Sequence, residues 1–256
     1  DVFTYLMVLT LVVFMFFSFS NLVKAQEKNK SNKDNSMISH INLDIYQLET
    51  TESPVVLLKE LAEKYSFNLY FDSESEKVWI YGEEKYTVLN IDDNNYQGKK
   101  LRVAPLIKEG RTYIGLKMIN YILQDLNQET KDVVTDIKLK DSQIITTGET
   151  QLAKICIYNI SENPVNLKYN SGKLFDLYLY SEEEKPEESE VWRWSAGKFF
   201  TMALKSEALE PGNNKIHELE ILLDKEISPG RYYLSGEVAT RKSLDLEVIE
   251  IEVKDQ

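Results

Sequence analysis

Phe175-Asp-Leu-Tyr-Leu-Tyr180 sends Phe175, Leu177 and Leu179 to one face of an extended chain and Asp176, Tyr178 and Tyr180 to the other. That period of two predicts a half-buried antiparallel strand. The same alternation runs through Leu152-Ala-Lys-Ile-Cys-Ile-Tyr-Asn-Ile160, where Leu152, Lys154, Cys156 and Tyr158 oppose Ala153, Ile155 and Ile157. From residue 132 onward such runs recur at 133–145, 151–160, 165–169, 173–180, 191–194, 215–223, 230–240 and 244–253. Asn163-Pro, Ser171-Gly, Glu210-Pro-Gly-Asn-Asn214 and Ser228-Pro-Gly230 punctuate them, because Pro presets φ and Gly accepts positive φ. Residues 132–256 are therefore expected to form an all-β, immunoglobulin-like sandwich.

Upstream the pattern is mixed. Ser53-Pro-Val-Val-Leu-Leu-Lys-Glu-Leu-Ala-Glu-Lys-Tyr65 places Val55, Leu58, Leu61, Ala62 and Tyr65 at helical spacing behind a Ser-Pro start. Phe67-Asn-Leu-Tyr-Phe-Asp72 and Lys77-Val-Trp-Ile-Tyr81 flank the polar turn Ser73-Glu-Ser-Glu76 and read as a hairpin. A further strand is expected over 85–91. Residues 101–123 then read as a strand, a Glu109-Gly110 turn, a short strand and a helix. Val56-Leu-Leu-Lys-Glu-Leu-Ala is echoed by Ile114-Gly-Leu-Lys-Met-Ile-Asn, so two half-similar units are expected to build one small α+β domain over 40–128.

Positions 2–23 carry no charged residue, and Val23-Lys-Ala25 satisfies the small-residue rule for signal cleavage. Residues 1–25 read as a signal peptide or, being long enough to span a bilayer, as an uncleaved membrane anchor. Residues 26–39 read as a polar linker. On either reading the protein is secreted or extracytoplasmic, and meets a membrane only through that segment if it is uncleaved.

A net charge of −12 argues against nucleic acid, whose binding draws affinity from neutralising phosphates with Lys and Arg. The single cysteine, Cys156, cannot make an internal disulfide and reads as a strand-face residue. A copper site wants about three imidazoles, and the chain has only His40 and His217, which read as structural. No metal ligand and no cofactor site is expected. Gly-x-Ser-x-Gly, Walker and Gly-x-Gly-x-x-Gly elements are all missing, so no catalytic residue is assigned and binding is the expected work.

Two of the three tryptophans lie in Glu190-Val-Trp-Arg-Trp-Ser-Ala-Gly-Lys-Phe-Phe-Thr-Met-Ala-Leu204. Strand alternation puts Trp192 and Trp194 on one face and Arg193 on the other, with Phe199 and Phe200 expected to cover the indoles. These five residues are the candidate partner-binding set. Two readings stand open: packing of a sandwich core, or an aromatic rim that anchors a protein or glycan. The acidic run 181–190 reads as a solvated hairpin tip, with a basic partner or loosely held calcium as its functional alternative.

Trp192-Arg-Trp-Ser195, the following phenylalanines, Leu209-Glu-Pro-Gly212 and Pro229-Gly-Arg-Tyr232 together resemble the BsuPI family of bacterial proteinase-inhibitor domains. Pro105-Leu-Ile107, Gly110-Arg-Thr-Tyr-Ile114 and Gly115-Leu-Lys-Met-Ile119 resemble the copper amine oxidase N-terminal-like (stalk) domain, with Gly115 where that family usually has Pro. The first resemblance implies a non-catalytic binding module with a protein partner, such as a protease, but supplies no reactive-site motif to carry over. Set against it is a cell-wall or surface structural protein whose domains are spacers or bind glycan.

Overall fold

The computed structural model describes residues 38–140, 142–183 and 189–255. The expected signal or anchor segment, the linker up to residue 37 and residues 184–188 of the acidic run lie outside the described residues. No helix among the described residues is long and apolar enough to cross a membrane. Strands make up 48% of the structure, beside two short helices, so the fold is β-rich and built from several sheets.

The chain enters as β1 (His40–Asn42) and β2 (Ile45–Tyr46), then reaches β3 (Val55–Leu57), which passes directly into α1 (Leu58–Lys64). The expected helix thus loses its first turn to a strand. Val55, Val56 and Leu57 are all buried, with Val56 in one core cluster and Val55 and Leu57 in another. A short strand covered on both faces, opened by two β-branched residues, uses these side chains better than a helix with one apolar stripe. Next come β4 (Asn68–Asp72), β5 (Lys77–Tyr81) and β6 (Tyr86–Asn90), a three-stranded antiparallel sheet, and the small hairpin of β7 (Asn95–Tyr96) and β8 (Lys99–Lys100). After β9 (Leu106–Lys108), β10 (Arg111–Gly115) runs directly into α2 (Leu116–Asp125).

The sequence echo has a geometric counterpart. Strands β3 and β10 are antiparallel neighbours, and Val56 and Ile114, the first residues of the two echoed segments, are register partners flanked by the pairs Leu57/Tyr113 and Val55/Gly115. A local two-fold relation therefore passes through the Val56/Ile114 pair. Both side chains are fully buried, and α1 and α2 drop Leu58, Leu61, Met118, Ile119, Ile122 and Leu123 into the same core.

From residue 133 the structure is all strand: β11 (Val133–Leu139), β12 (Ile144–Thr146), β13 (Thr150–Asn159), β14 (Val165–Tyr169), β15 (Phe175–Tyr180), β16 (Glu190–Arg193), β17 (Lys205–Leu209), β18 (Asn214–Leu222), β19 (Gly230–Val238), β20 (Leu244–Asp245) and β21 (Ile249–Lys254). One sheet has the order β1-β11-β13-β18 and another β12-β21-β19-β15-β16, with β20 beside β19 and β14 paired to β17. One core serves these sheets. It takes Val133, Ile155, Ile157 and Ile221 from the first and Leu177, Leu179, Leu234 and Ile251 from the second. Burying so many aliphatic side chains at roughly 25 cal/mol per Å2 is what holds the layers together.

Three features differ from the sequence pattern. The run expected over 133–145 is two strands in different sheets, since β11 pairs with β13 whereas β12 pairs parallel with β21. The run expected over 244–253 is likewise divided into β20 and β21. Strand β17 was not expected, because in Lys-Ser-Glu-Ala-Leu only Leu209 is buried and its ladder with β14 supplies the rest. Pairing also crosses the stretch between the two expected domains: β1 adds a parallel strand to β11, and Ile41 shares a core with Val134 and Ile160.

Candidate protein-binding loop

The candidate site is the connection from β16 to β17, and it starts from a buried carboxylate. Asp176 on β15 is fully buried and accepts four hydrogen bonds: from Lys173 Nζ at 2.9 Å, Ser195 Oγ at 2.6 Å, the Ser195 amide at 3.1 Å and its neighbour's Leu177 amide at 3.0 Å. A buried charge needs such a full set of donors. Here it fixes Ser195, where the chain leaves the sheet.

Next to that anchor, Trp192 pairs in register with Leu179 and packs, partly buried, on the core. Trp194 does the same with more ties. Its amide donates to the Leu177 carbonyl at 2.9 Å, its indole Nε1 donates to the Glu220 carbonyl at 3.1 Å, and its ring lies 4.7 Å from that of Phe175. His217 completes this edge, 5.4 Å from Phe175, with burial holding its pKa below the ordinary range. Arg193 points the other way, as alternation requires. Its guanidinium forks onto Glu190 at 3.0 and 2.8 Å and lies 4.7 Å from the centre of the Tyr178 ring, an arrangement that raises its pKa.

The loop itself turns at Gly197, whose φ of 71° lies in the left-handed region that glycine tolerates. Lys198 then sets its Nζ 3.3 Å above the Trp194 ring, and Phe200 lies 6.1 Å from the same indole. Two residues of one parity are thereby drawn to Trp194, and Phe199 between them is driven outward. It is 100% exposed, followed by Met202 at 87% and Leu204 at 77%. Leaving a Phe, Met or Leu side chain in water forgoes roughly 1.5–3 kcal/mol for each.

A further tie holds the loop at mid-length. The Gly172 amide donates to the Thr201 carbonyl at 2.7 Å, and a Cβ on Gly172 would come within 2.6 Å of Thr201 Oγ1. A larger residue there would have to displace the Thr201 hydroxyl and would crowd its amide nitrogen at 3.3 Å. Residues 198–204 belong to no helix or strand, and none of them has positive φ.

Of the five sequence candidates, Trp192 and Trp194 are half-buried supports, Arg193 is engaged with Glu190 and Tyr178, and Phe200 flanks Trp194. The expectation that Phe199 covers the indoles is corrected: a fully exposed side chain covers nothing, and Lys198 occupies the ring face instead. Met202 and Leu204 were not singled out by sequence reasoning. The signal available was an apolar run, Phe199-Phe-Thr-Met-Ala-Leu204, that lacks the alternation of a half-buried strand.

Elsewhere the polar groups are less organised for a task. A cleft of about 100 Å3 is lined by Pro54, Leu101, Val103, Leu116 and Met118 with no carboxylate, histidine or cysteine. A wider hollow of about 550 Å3 gathers Asp44, Glu60, Glu63, Glu247 and Glu250, and burial pushes the Glu60 carboxyl up to about 7. No serine, cysteine or histidine lines it. Among the described residues no three His, Cys, Asp or Glu side chains gather as a metal site. Cys156 is buried, its thiol pushed up to about 11 by burial and by the nearby Asp136 carboxylate.

No curated protein matches the chain. Solved structures that resemble it include a β-glucosidase from Listeria innocua (17% identity, TM-score 0.29, 50% of this chain and 17% of that one). Another is the sporulation control protein Spo0M from Bacillus subtilis (14% identity, TM-score 0.34, 50% of this chain and 51% of that one). A third is the CARDB domain of a Pyrococcus furiosus protein (14% identity, TM-score 0.27, 48% of this chain and 94% of that one). Superpositions this loose carry no argument about activity. Residues 139–243, less than half of the chain but including the whole loop and its supports, match the family model of BsuPI, described as intracellular proteinase inhibitor.

Proposed function

We propose that the chain is a non-catalytic protein-binding protein of proteinase-inhibitor type, exported to the bacterial cell envelope. Its C-terminal half is read as an immunoglobulin-like sandwich that presents the binding surface, and its N-terminal half as a spacer similar to the copper amine oxidase stalk module. One observation carries this reading: a loop tied to its scaffold at Asp176, Trp194 and Gly172 holds Phe199, Met202 and Leu204 in solvent, inside the stretch that matches the inhibitor family. Rigid presentation of apolar side chains lowers the entropy lost on association. The absence of charge over positions 2–23 favours export, although the matching family is described as intracellular, so the target is sought among secreted as well as cytoplasmic proteases.

A specific observation favours a second reading. On β4–β6, Tyr70, Trp79, Tyr81 and Tyr86 share one face by register, and Tyr70 and Tyr86 are the most exposed of them. An open aromatic face of this kind suits stacking on the sugars of a wall glycan, the role expected of a structural surface protein.

Incubating the full chain with a panel of endopeptidases and, separately, with purified peptidoglycan tests both readings. Stoichiometric loss of peptidase activity is the expected result. Co-sedimentation with wall material, with proteolysis unaffected, would replace the first reading by the second.

A further inference from the structure

We infer, resting on the inhibitor reading, that residues 198–204 enter the cleft of a serine endopeptidase as a substrate would, with Phe199 filling an apolar primary-specificity pocket. Three observations lead to Phe199 rather than to its neighbours. It is the one large apolar side chain of the loop that lies entirely in solvent, whereas Lys198 and Phe200 on either side both lie against Trp194. The alternation that seats those two on the scaffold is the alternation that aims Phe199 away from it.

The backbone is also free to be read. Phe199, Phe200, Met202, Ala203 and Leu204 make no backbone hydrogen bond within the described residues, so their amides and carbonyls are available to a partner's extended edge. Segments recognised in this way gain affinity from main-chain pairing and specificity from pockets for alternate side chains. Negative φ throughout 198–204 is compatible with that pairing.

The third observation separates an inhibitor from a mere substrate. The Thr201 carbonyl is held by the Gly172 amide at 2.7 Å just beyond the Phe199-Phe200 bond, while Ser195 is held by Asp176 on the other side. Both flanks of that bond stay attached to the scaffold, so the segment is preorganised for binding and restrained from leaving after any strand break. An apolar pocket suits Phe199, whereas a pocket floored by a carboxylate, built for Lys or Arg, would leave its charge unpaired against the phenyl ring.

The test is titration of chymotrypsin, subtilisin and trypsin, each with a small chromogenic substrate, by the full chain and its variants. Wild type is expected to inhibit chymotrypsin and subtilisin. Phe199→Ala is expected to weaken inhibition by roughly 100-fold, Phe199→Leu by less than about tenfold, and Phe199→Arg to transfer inhibition to trypsin, magnitudes typical of a central interface residue. Far-UV circular dichroism and tryptophan emission matching wild type establish that each variant is folded. Inhibition unchanged in folded Phe199→Ala overturns the assignment of the loop and leaves the inhibitor reading intact. Rapid cleavage after Phe199 without inhibition also overturns it, and inhibition of no peptidase removes both.

Discussion

Two aspartates are sunk in the protein, one where the N-terminal segment meets β11 and one beneath the candidate loop, and they are provided for very differently. Asp176 has its four donors and is fully enclosed. Asp136 is 3% exposed, accepts from the Ile45 amide at 3.2 Å and faces Lys138 Nζ at 3.5 Å, and burial pushes its carboxyl up to about 6. The contrast shows where the molecule invests rigidity. A carboxylate supplied with every donor it can use serves as a fixed point for the loop, whereas one supplied sparingly leaves the N-terminal seam responsive to protons.

The sharpest way to break the contrast is Asp176→Ala, which strands the Ser195 donors and leaves Lys173 with Glu237 at 3.7 Å as its remaining carboxylate. Loss of a buried pair costs roughly 3–5 kcal/mol, and since Lys173 reaches solvent in part, the lower end is expected in urea denaturation. Cleavage by added protease within 198–204 should rise in the same variant, reporting release of the loop. A variant that keeps full stability would mean the four hydrogen bonds contribute little.

Asp136 should show itself through pH. Its folded pKa lies above the unfolded value of 3.8, so the folded state binds the extra proton. Its contribution is therefore fully present below about pH 4 and is lost as pH rises through 6, about 2–3 kcal/mol in all. Glu60, raised from 4.5 to about 7, acts in the same direction a little higher on the scale. Asp136→Asn should make the fall between pH 4 and 6 shallower while leaving the Glu60 part, which runs from about 4.5 to about 7. Stability curves of wild type and variant at half-unit steps would show this, and parallel slopes would refute it.

A smaller effect approaches the Asp176 frame from the neighbouring strand. Gly236 on β19 is the register partner of Leu177, and a Cβ there would collide with the Asp176 carbonyl. Gly236→Ala should cost about 1–3 kcal/mol by overpacking, readable as a lowered melting temperature. Trp194→Phe, which removes the indole N–H bond to the Glu220 carbonyl and part of the ring packed against Phe175, should cost about 1–2 kcal/mol. On the proposed inhibitor reading it should also weaken inhibition less than removal of Phe199.

Much of this architecture was legible because period-two patterning survives in the sequence wherever one face meets the core. Phe175, Leu177 and Leu179 are buried as their alternation requires. The helix expected after the short strand, through Leu116, Ile119, Tyr121 and Leu123, forms as well, although the face it buries is Met118, Ile119, Ile122 and Leu123. What escaped depends on partners distant in the chain. Val55 fits a helical stripe until β2 and β10 claim its strand from either side, and β17 is a strand chiefly because β14 lies beside it. At the site, the aromatic cluster was visible but its division of labour was not. Nothing local says that Lys198, rather than Phe199, takes the face of Trp194, or that Asp176 is buried because Ser195 returns to meet it.

The register pair Val56/Ile114 has one more implication, for how the chain can vary. Two wholly enclosed side chains share a single allotment of volume across the two-fold relation, so methylenes can be exchanged between them but not added. Val56→Ile alone overfills that space and Ile114→Val alone leaves a void, whereas the two together restore the total and should melt within a few degrees of wild type.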